Sequence, residues 1–234
     1  MSETHILART RALAGIDPAA LAQLTRCTTT RVFGRGDAIW HAGDAPRGLV
    51  VVAQGLVKVV RPAPKGRSTI CGIFGPGESI GDVAFVRNIP YPADAIAATD
   101  TVSIIEAPGD AVRRCLERQP ELGMSLACGM ADKLSALHGK IDVLSAGTVE
   151  ARLATLILEL YEKLGDDFED GTSHVPLALS RRELADLVAT TLETTIRTMS
   201  RWEREGVVAT LSDGFRIDDL EKLRRAAGQS DDAA

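Results

Sequence analysis

Glu193 and Arg197 stand four residues apart, so on a helix they project from one face. A carboxylate accepts from cytosine N4 and a guanidinium donates to guanine O6 and N7, each good pair supplying ~1–3 kcal/mol of discrimination between bases. The same spacing also fits an ordinary Glu-to-Arg surface pair that gives a helix ~0.2–0.5 kcal/mol. The elements around the pair decide which reading carries weight. Ser180-Arg-Arg-Glu183 has the form of a capping box ahead of Leu184, Leu187 and Val188. Thr190-Thr191 interrupts that pattern, Thr191 caps a second helix over Leu192 to Glu205, and Gly206 stops it. Val207 to Thr210 and Phe215 to Ile217 then flank Ser212-Asp213-Gly214 and read as a hairpin. Helix, tight turn, helix and hairpin in this order form a winged helix-turn-helix, whose second helix meets base edges. Thr194 joins Glu193 and Arg197 as a base-reading candidate. Ser180, Arg181, Thr191 and Arg201 are the candidates for phosphate contacts that set register.

Upstream, Glu150 to Leu164 reads as an amphipathic helix, Gly165 to Gly171 as an acidic loop, and Leu177 to Leu179 as a short apolar strand. A helical run from Asp110 to Leu116 pauses at Pro120 and resumes to about Ser145. Within it Ala127, Met130, Leu134, Leu137, Ile141 and Leu144 recur by threes and fours with polar flanks at Asp132, Lys133, Lys140 and Asp142. That stripe reads as a coiled-coil dimer seam, or as a helix packed on its own domain. From Arg31 to about Ala107 the period is two, with short Val/Ile-rich runs separated by glycines, which points to an antiparallel barrel or roll. Asp17-Pro18 opens a short helix that carries Leu21 and Leu24 and runs to Arg26.

The resulting fold class is α+β. Its expected divisions are a roll with an N-terminal helix over 1–109, a dimerisation helix region over 110–147, a winged helix-turn-helix over 148–225 and a disordered tail over 226–234. With 45% hydrophobic and 25% charged residues in 234, the chain can bury a real core and is neither disordered nor fibrous. No apolar run approaches the length of a membrane span, and Met1 to Arg11 holds no signal-peptide core, so a cytoplasmic location without membrane contact is expected. The cysteines Cys27, Cys71, Cys115 and Cys128 are scattered, which argues against a disulfide scaffold, and no spacing suits a metal. Net charge is −5, and Ser180 to Gly206 balances five arginines against five acids. DNA affinity must therefore come from correct base contacts and dimerisation more than from bulk electrostatics.

Four pieces in order carry a resemblance to a known family: Phe33-Gly-Arg-Gly36-Asp37-Ala-Ile39 with Gly43-Asp44; Gly55-Leu-Val57-Lys58-Val59; Phe74-Gly-Pro-Gly77-Glu78 with Gly81-Asp82; and Thr191-Leu-Glu193-Thr194-Thr195-Ile196-Arg197. Over about residues 10 to 225 the chain resembles the superfamily of the cyclic-AMP receptor protein and the fumarate-nitrate regulator. The resemblance implies a homodimeric transcription factor that binds double-stranded DNA, works with RNA polymerase and relays a signal from the roll through the long helix. It implies a half-site of the TTGA type, since Leu192 stands where cyclic-AMP receptor proteins carry a second base-reading arginine. Ile196 departs from the serine common in the fumarate-nitrate group, which leaves the inner bases open.

The same resemblance places an effector pocket at Gly81, Asp82, Val83, Tyr91, Pro92 and Ala93. Tyr91 and Pro92 occupy the positions of the Arg-Ser pair that neutralises a cyclic phosphate, and Arg87 is the only cation between Gly77 and Ala98. Burying an unpaired phosphate costs several kcal/mol, so cyclic AMP is disfavoured. An iron–sulfur cluster is disfavoured too, because Cys27 alone lies near the N-terminus. Haem stays open through His41, Cys71 or His138 as axial ligands, so a haem-based nitric oxide or CO sensor of the same fold is one alternative. A regulatory module docking protein only is the other, although Thr191, Glu193, Thr194 and Arg197 lack the aromatic or Met anchors of a docking face. No nucleophile–base constellation, phosphate loop or metal motif speaks for an enzyme, and no catalytic or metal-binding residue is assigned.

Overall fold

Leu49 to Val52 is an unbroken apolar run, and the computed structural model gives the reason: this strand is covered on both faces. The structure describes residues 2–63, 67–145 and 147–228, apart from the side chains of 63, 67, 68 and 136–145. The chain divides into two compact units, Met1–Ser135 and Ala136–Ala234, and the division falls inside a long helix.

In the first unit α1 (Glu3–Arg9), a 3-10 turn (Arg11–Leu13) and α2 (Pro18–Thr25) precede a roll. Its strands are β1 (Thr29–Gly34), β2 (Ala38–Trp40), β3 (Gly48–Gln54), β4 (Val57–Ala63), β5 (Arg67–Phe74), β6 (Ser79–Ile80), β7 (Asp94–Ala97) and β8 (Thr101–Pro108), with α3 (Asp82–Arg87) after β6. Two antiparallel sheets result, ordered β1-β8-β3-β6 and β2-β7-β4-β5. Because side chains alternate along a strand, Val50, Val52, Val102 and Ile104 face Ile39, Val57 and Ala95 of the other sheet. Leu49, Val51, Ile105 and Ala107 face outward onto Leu7, Leu13, Leu24 and Val112, from α1, the 3-10 turn, α2 and α4 (Gly109–Arg118).

Asp17 caps α2 as expected, its carboxylate accepting from the amides of Ala19 and Ala20 at 3.0 Å each. α1 has no counterpart in the sequence reading, although Ser2 caps it and Ile6 and Leu7 are buried. α5 (Glu121–Ser145) follows Pro120 and includes the positions of the expected seam. Met130 is half-buried and Leu134 is 60% exposed, while the side chains of Leu137, Ile141 and Leu144 lie outside the described residues.

The second unit contains α6 (Val149–Leu164), β9 (Asp166–Asp167), β10 (Ser173–Val175), α7 (Arg181–Leu187), α8 (Leu192–Arg204), β11 (Val208–Thr210), β12 (Phe215–Ile217) and α9 (Leu220–Ala226), with strands ordered β11-β12-β10-β9. The expected strand at Leu177–Leu179 is displaced to Ser173–Val175. Pro176 has no N–H to donate, so pairing with β12 ends at Val175, and Leu177 and Leu179 are buried without joining the ladder. Part of the expected acidic loop pairs as β9, where Asp167 accepts from Ser173 Oγ and Tyr161 Oη at 2.7 Å each. Those bonds hold its carboxyl below the usual carboxylate range. α9 has no counterpart in the sequence reading either; Asp219 caps it and Leu223 anchors it. It includes Ala226, so the expected tail starts later than 226, and 229–234 lie outside the described residues. Among the described residues no helix is long and apolar enough to cross a membrane.

Candidate nucleic-acid interface and sensory site

The reading unit assembles from local rules. Ser180 and Glu183 form the expected capping box, the Ser180 amide donating to Glu183 Oε2 at 2.8 Å and the Glu183 amide to Ser180 Oγ at 3.2 Å. After α7 the chain turns through Ala189, a non-glycine residue at φ +51. Thr191 caps α8, receiving the Thr194 amide at 3.2 Å, and the two hydroxyls lie 2.9 Å apart. Thr195, Thr198, Met199 and Trp202 form the buried face of α8. The opposite face exposes Glu193, Ile196, Arg197 and Ser200, and half-buried Thr194 adjoins it. Among the described residues Glu193 and Arg197 make no ion pair with each other or with any other side chain, which leaves both heads open to an external partner.

The other expected contacts are placed differently. Arg181 is half-buried and donates to Thr210 Oγ1 of β11 at 2.6 Å. Arg201 Nη2 lies 2.6 Å from Glu150 Oε1, which also accepts from the buried Trp202 Nε1 at 3.1 Å. These bonds make Glu150 the residue that fixes α8 from behind. Sequence reasoning misses Glu150, since only its place at the start of a helix is visible there. Exposed Arg182 and Arg204 flank the reading unit.

In the roll, the six expected effector residues differ in burial and in what they touch. Gly81 holds φ +75, and a Cβ there would lie 2.6 Å from Tyr91 Cε1. Asp82 is buried and bonded to Ser79 Oγ at 3.0 Å and to Lys133 Nζ of α5. Val83 and Pro92 are exposed, whereas Ala93 is buried. Tyr91 stacks on Trp40 with ring centroids 4.1 Å apart and 12° between planes. Burial, followed by the Glu106 charge, pushes the Tyr91 phenol up to about 12. The cation missing from 77–98 thus arrives from outside that segment, as Lys133, and it serves the protein's own carboxylate. Of the haem candidates, His41 is exposed with Nδ1 3.8 Å from Asp94 Oδ1, Cys71 Sγ sits 3.7 Å from Thr69 O, and His138 lies outside the described side chains. Among the described residues no group of three metal-ligating side chains occurs.

With this geometry in place, the comparisons with known proteins place one family on each unit. Residues 30–119 match the cyclic nucleotide-binding domain family and residues 151–226 the Crp-like helix-turn-helix domain family. The CRP-like cAMP-activated global transcriptional regulator of Mycobacterium tuberculosis is 28% identical over 223 residues, covering 95% of this chain and 99% of that protein. The nitrogen fixation regulation protein FixK of Bradyrhizobium diazoefficiens is 26% identical over 212 residues, 91% of this chain and 87% of that protein. The crystal structure of a CRP-family transcriptional regulator from Thermus thermophilus superposes with a TM-score of 0.70 at 28% identity, covering 87% of this chain and all of that one.

Proposed function

This chain belongs to the superfamily of the cyclic-AMP receptor protein and the fumarate-nitrate regulator, transcription regulators with a DNA-binding helix-turn-helix rather than enzymes, and we propose that it acts as a homodimer on a pseudo-palindromic TTGA-type site. The carrying observation is the pair Glu193 and Arg197, exposed together on α8 behind two capped helices and bonded to nothing else among the described residues. Glu193 accepts from cytosine, Arg197 donates to guanine, and Thr194 borders them. Ser180, Arg181, Thr191 and Arg201 sit at the phosphates. The seam of Met130, Leu134, Leu137, Ile141 and Leu144 joins two copies along α5, and a change in the roll reaches DNA through that helix. RNA polymerase is the onward partner and the cytoplasm the place of action.

A mobility shift on a TTGA palindrome tests this reading. Arg197→Ala is expected to weaken specific binding by ~1–3 kcal/mol per half-site, with the circular dichroism spectrum unchanged. An unchanged footprint would remove Arg197 from the reading role. The dimer is tested by Leu134→Lys, expected to give monomers in sedimentation and to abolish the shift.

A further inference from the structure

A cavity of about 430 Å³ opens in the first unit, and neither Asp82 nor Lys133 lines it. Buried Ile39, Val50 and Ile104 contribute apolar wall, and the Trp40–Tyr91 stack contributes an aromatic one. Around these stand Arg31, Arg47, Asp44 and Glu106, two cations and two anions. Glu106 is only 17% exposed, its ion-pair partner is Arg31 at 3.8 Å, and no hydrogen bond reaches its carboxylate among the described residues. The Tyr91 hydroxyl likewise makes no hydrogen bond there, and Arg47 makes no ion pair. These groups border the opening, where a ligand can pair with them in exchange for water. Balanced charge over an apolar surface disfavours a phosphate and disfavours a simple cation, and it matches a molecule that carries both signs.

We propose that this cavity is the effector seat of the roll and takes a zwitterionic small molecule of the α-amino-acid class, with its ammonium at Glu106 and Asp44, its carboxylate at Arg47 and Arg31, and an aromatic or branched side chain on the Trp40–Tyr91 stack. The proposal rests on the reading of the first unit as sensory. The stack is also the wall against which Gly81 fits, with room for no side chain, and Gly81 precedes the Asp82 that holds Lys133 of α5. A ligand that moves Tyr91 therefore acts on the residue next to that bond.

Calorimetric titration of L-phenylalanine and L-leucine into the full chain tests the seat, with Trp40 emission as a second readout. Saturable binding of at least one is expected, weakened at least about tenfold in the matching analogues that lack the ammonium or the carboxylate. Glu106→Gln and Arg47→Ala should each cost about tenfold. The analogue series on the unmodified protein keeps the test valid if a variant fails to fold. Absence of saturable binding for both amino acids, or equal binding of the truncated analogues, overturns the proposal. A mobility shift on the same preparation separates the two readings: lost DNA binding with intact ligand binding counts against the DNA site alone.

Discussion

Asp82 and Glu193 are both carboxylates that the family resemblance points to, and they sit in opposite circumstances. Asp82 is buried in the roll and already bonded to Ser79 and Lys133. Glu193 is exposed on α8 beside an equally exposed Arg197, and the two ignore each other. A side chain that recognises something else must be held in place without being satisfied, and α8 achieves this by fixing its buried face. The Asp82 bonds all fall on Oδ2, so that oxygen is engaged within the protein. The contrast sets a helix face that is open to a partner against a roll position that is engaged from within.

The strongest way to break this contrast is Lys133→Ala, which strands the buried Asp82 carboxylate. An expected loss of ~2–4 kcal/mol in urea unfolding stays below the cost for a deeply buried pair, since Lys133 is 30% exposed. Replacing both partners by apolar residues, Asp82→Leu with Lys133→Met, should regain most of it. No loss in the single variant would mean that the bond is not closing the site. Next in size is Glu150→Ala, which removes the acceptor behind both Arg201 and Trp202. It should cost ~1–3 kcal/mol, because a buried Trp N–H is left without an acceptor, and thermal unfolding of the second unit measures it. Ser180→Ala sharpens the reading side further: loss of the cap should cost about 1 kcal/mol and leave base preference intact in a binding-site selection. The smallest expected effect is none. Cyclic AMP should leave the mobility shift unchanged at any concentration, and a tightened complex would reopen the pocket at Gly81 and Asp82.

What can be read from the sequence follows the range of the interactions. The caps at Asp17, Ser180 and Thr191 join residues two or three apart, so local patterns reveal them and the helices behind them. The exposed face of α8 follows from helical period alone. Lys133 and Asp82 are separated by 51 positions, and Trp202 and Glu150 by 52, so no local pattern links them. For that reason the partner of Asp82 and the bonds that Glu150 makes to Arg201 and Trp202 are invisible in the sequence. The strand expected at Leu177–Leu179 falls elsewhere because apolar residues report burial, while Pro176 sets the end of pairing. α1 and α9 are each seven residues long. Such short helices owe their existence to the surfaces they dock against more than to their own periodicity.

The doubly covered strand β3 has a cost that belongs to the unfolded chain. Leu49 to Val52 holds four β-prone or apolar residues without a charge, the kind of segment that seeds cross-strand association when exposed. In the native roll it lies between β8 and β6, so its central amides should be among the last to exchange with deuterium. During synthesis or refolding the same segment waits for β8, which follows some fifty residues later in the chain. Dilution and speed of closure, more than final stability, should therefore govern how much protein is recovered from denaturant.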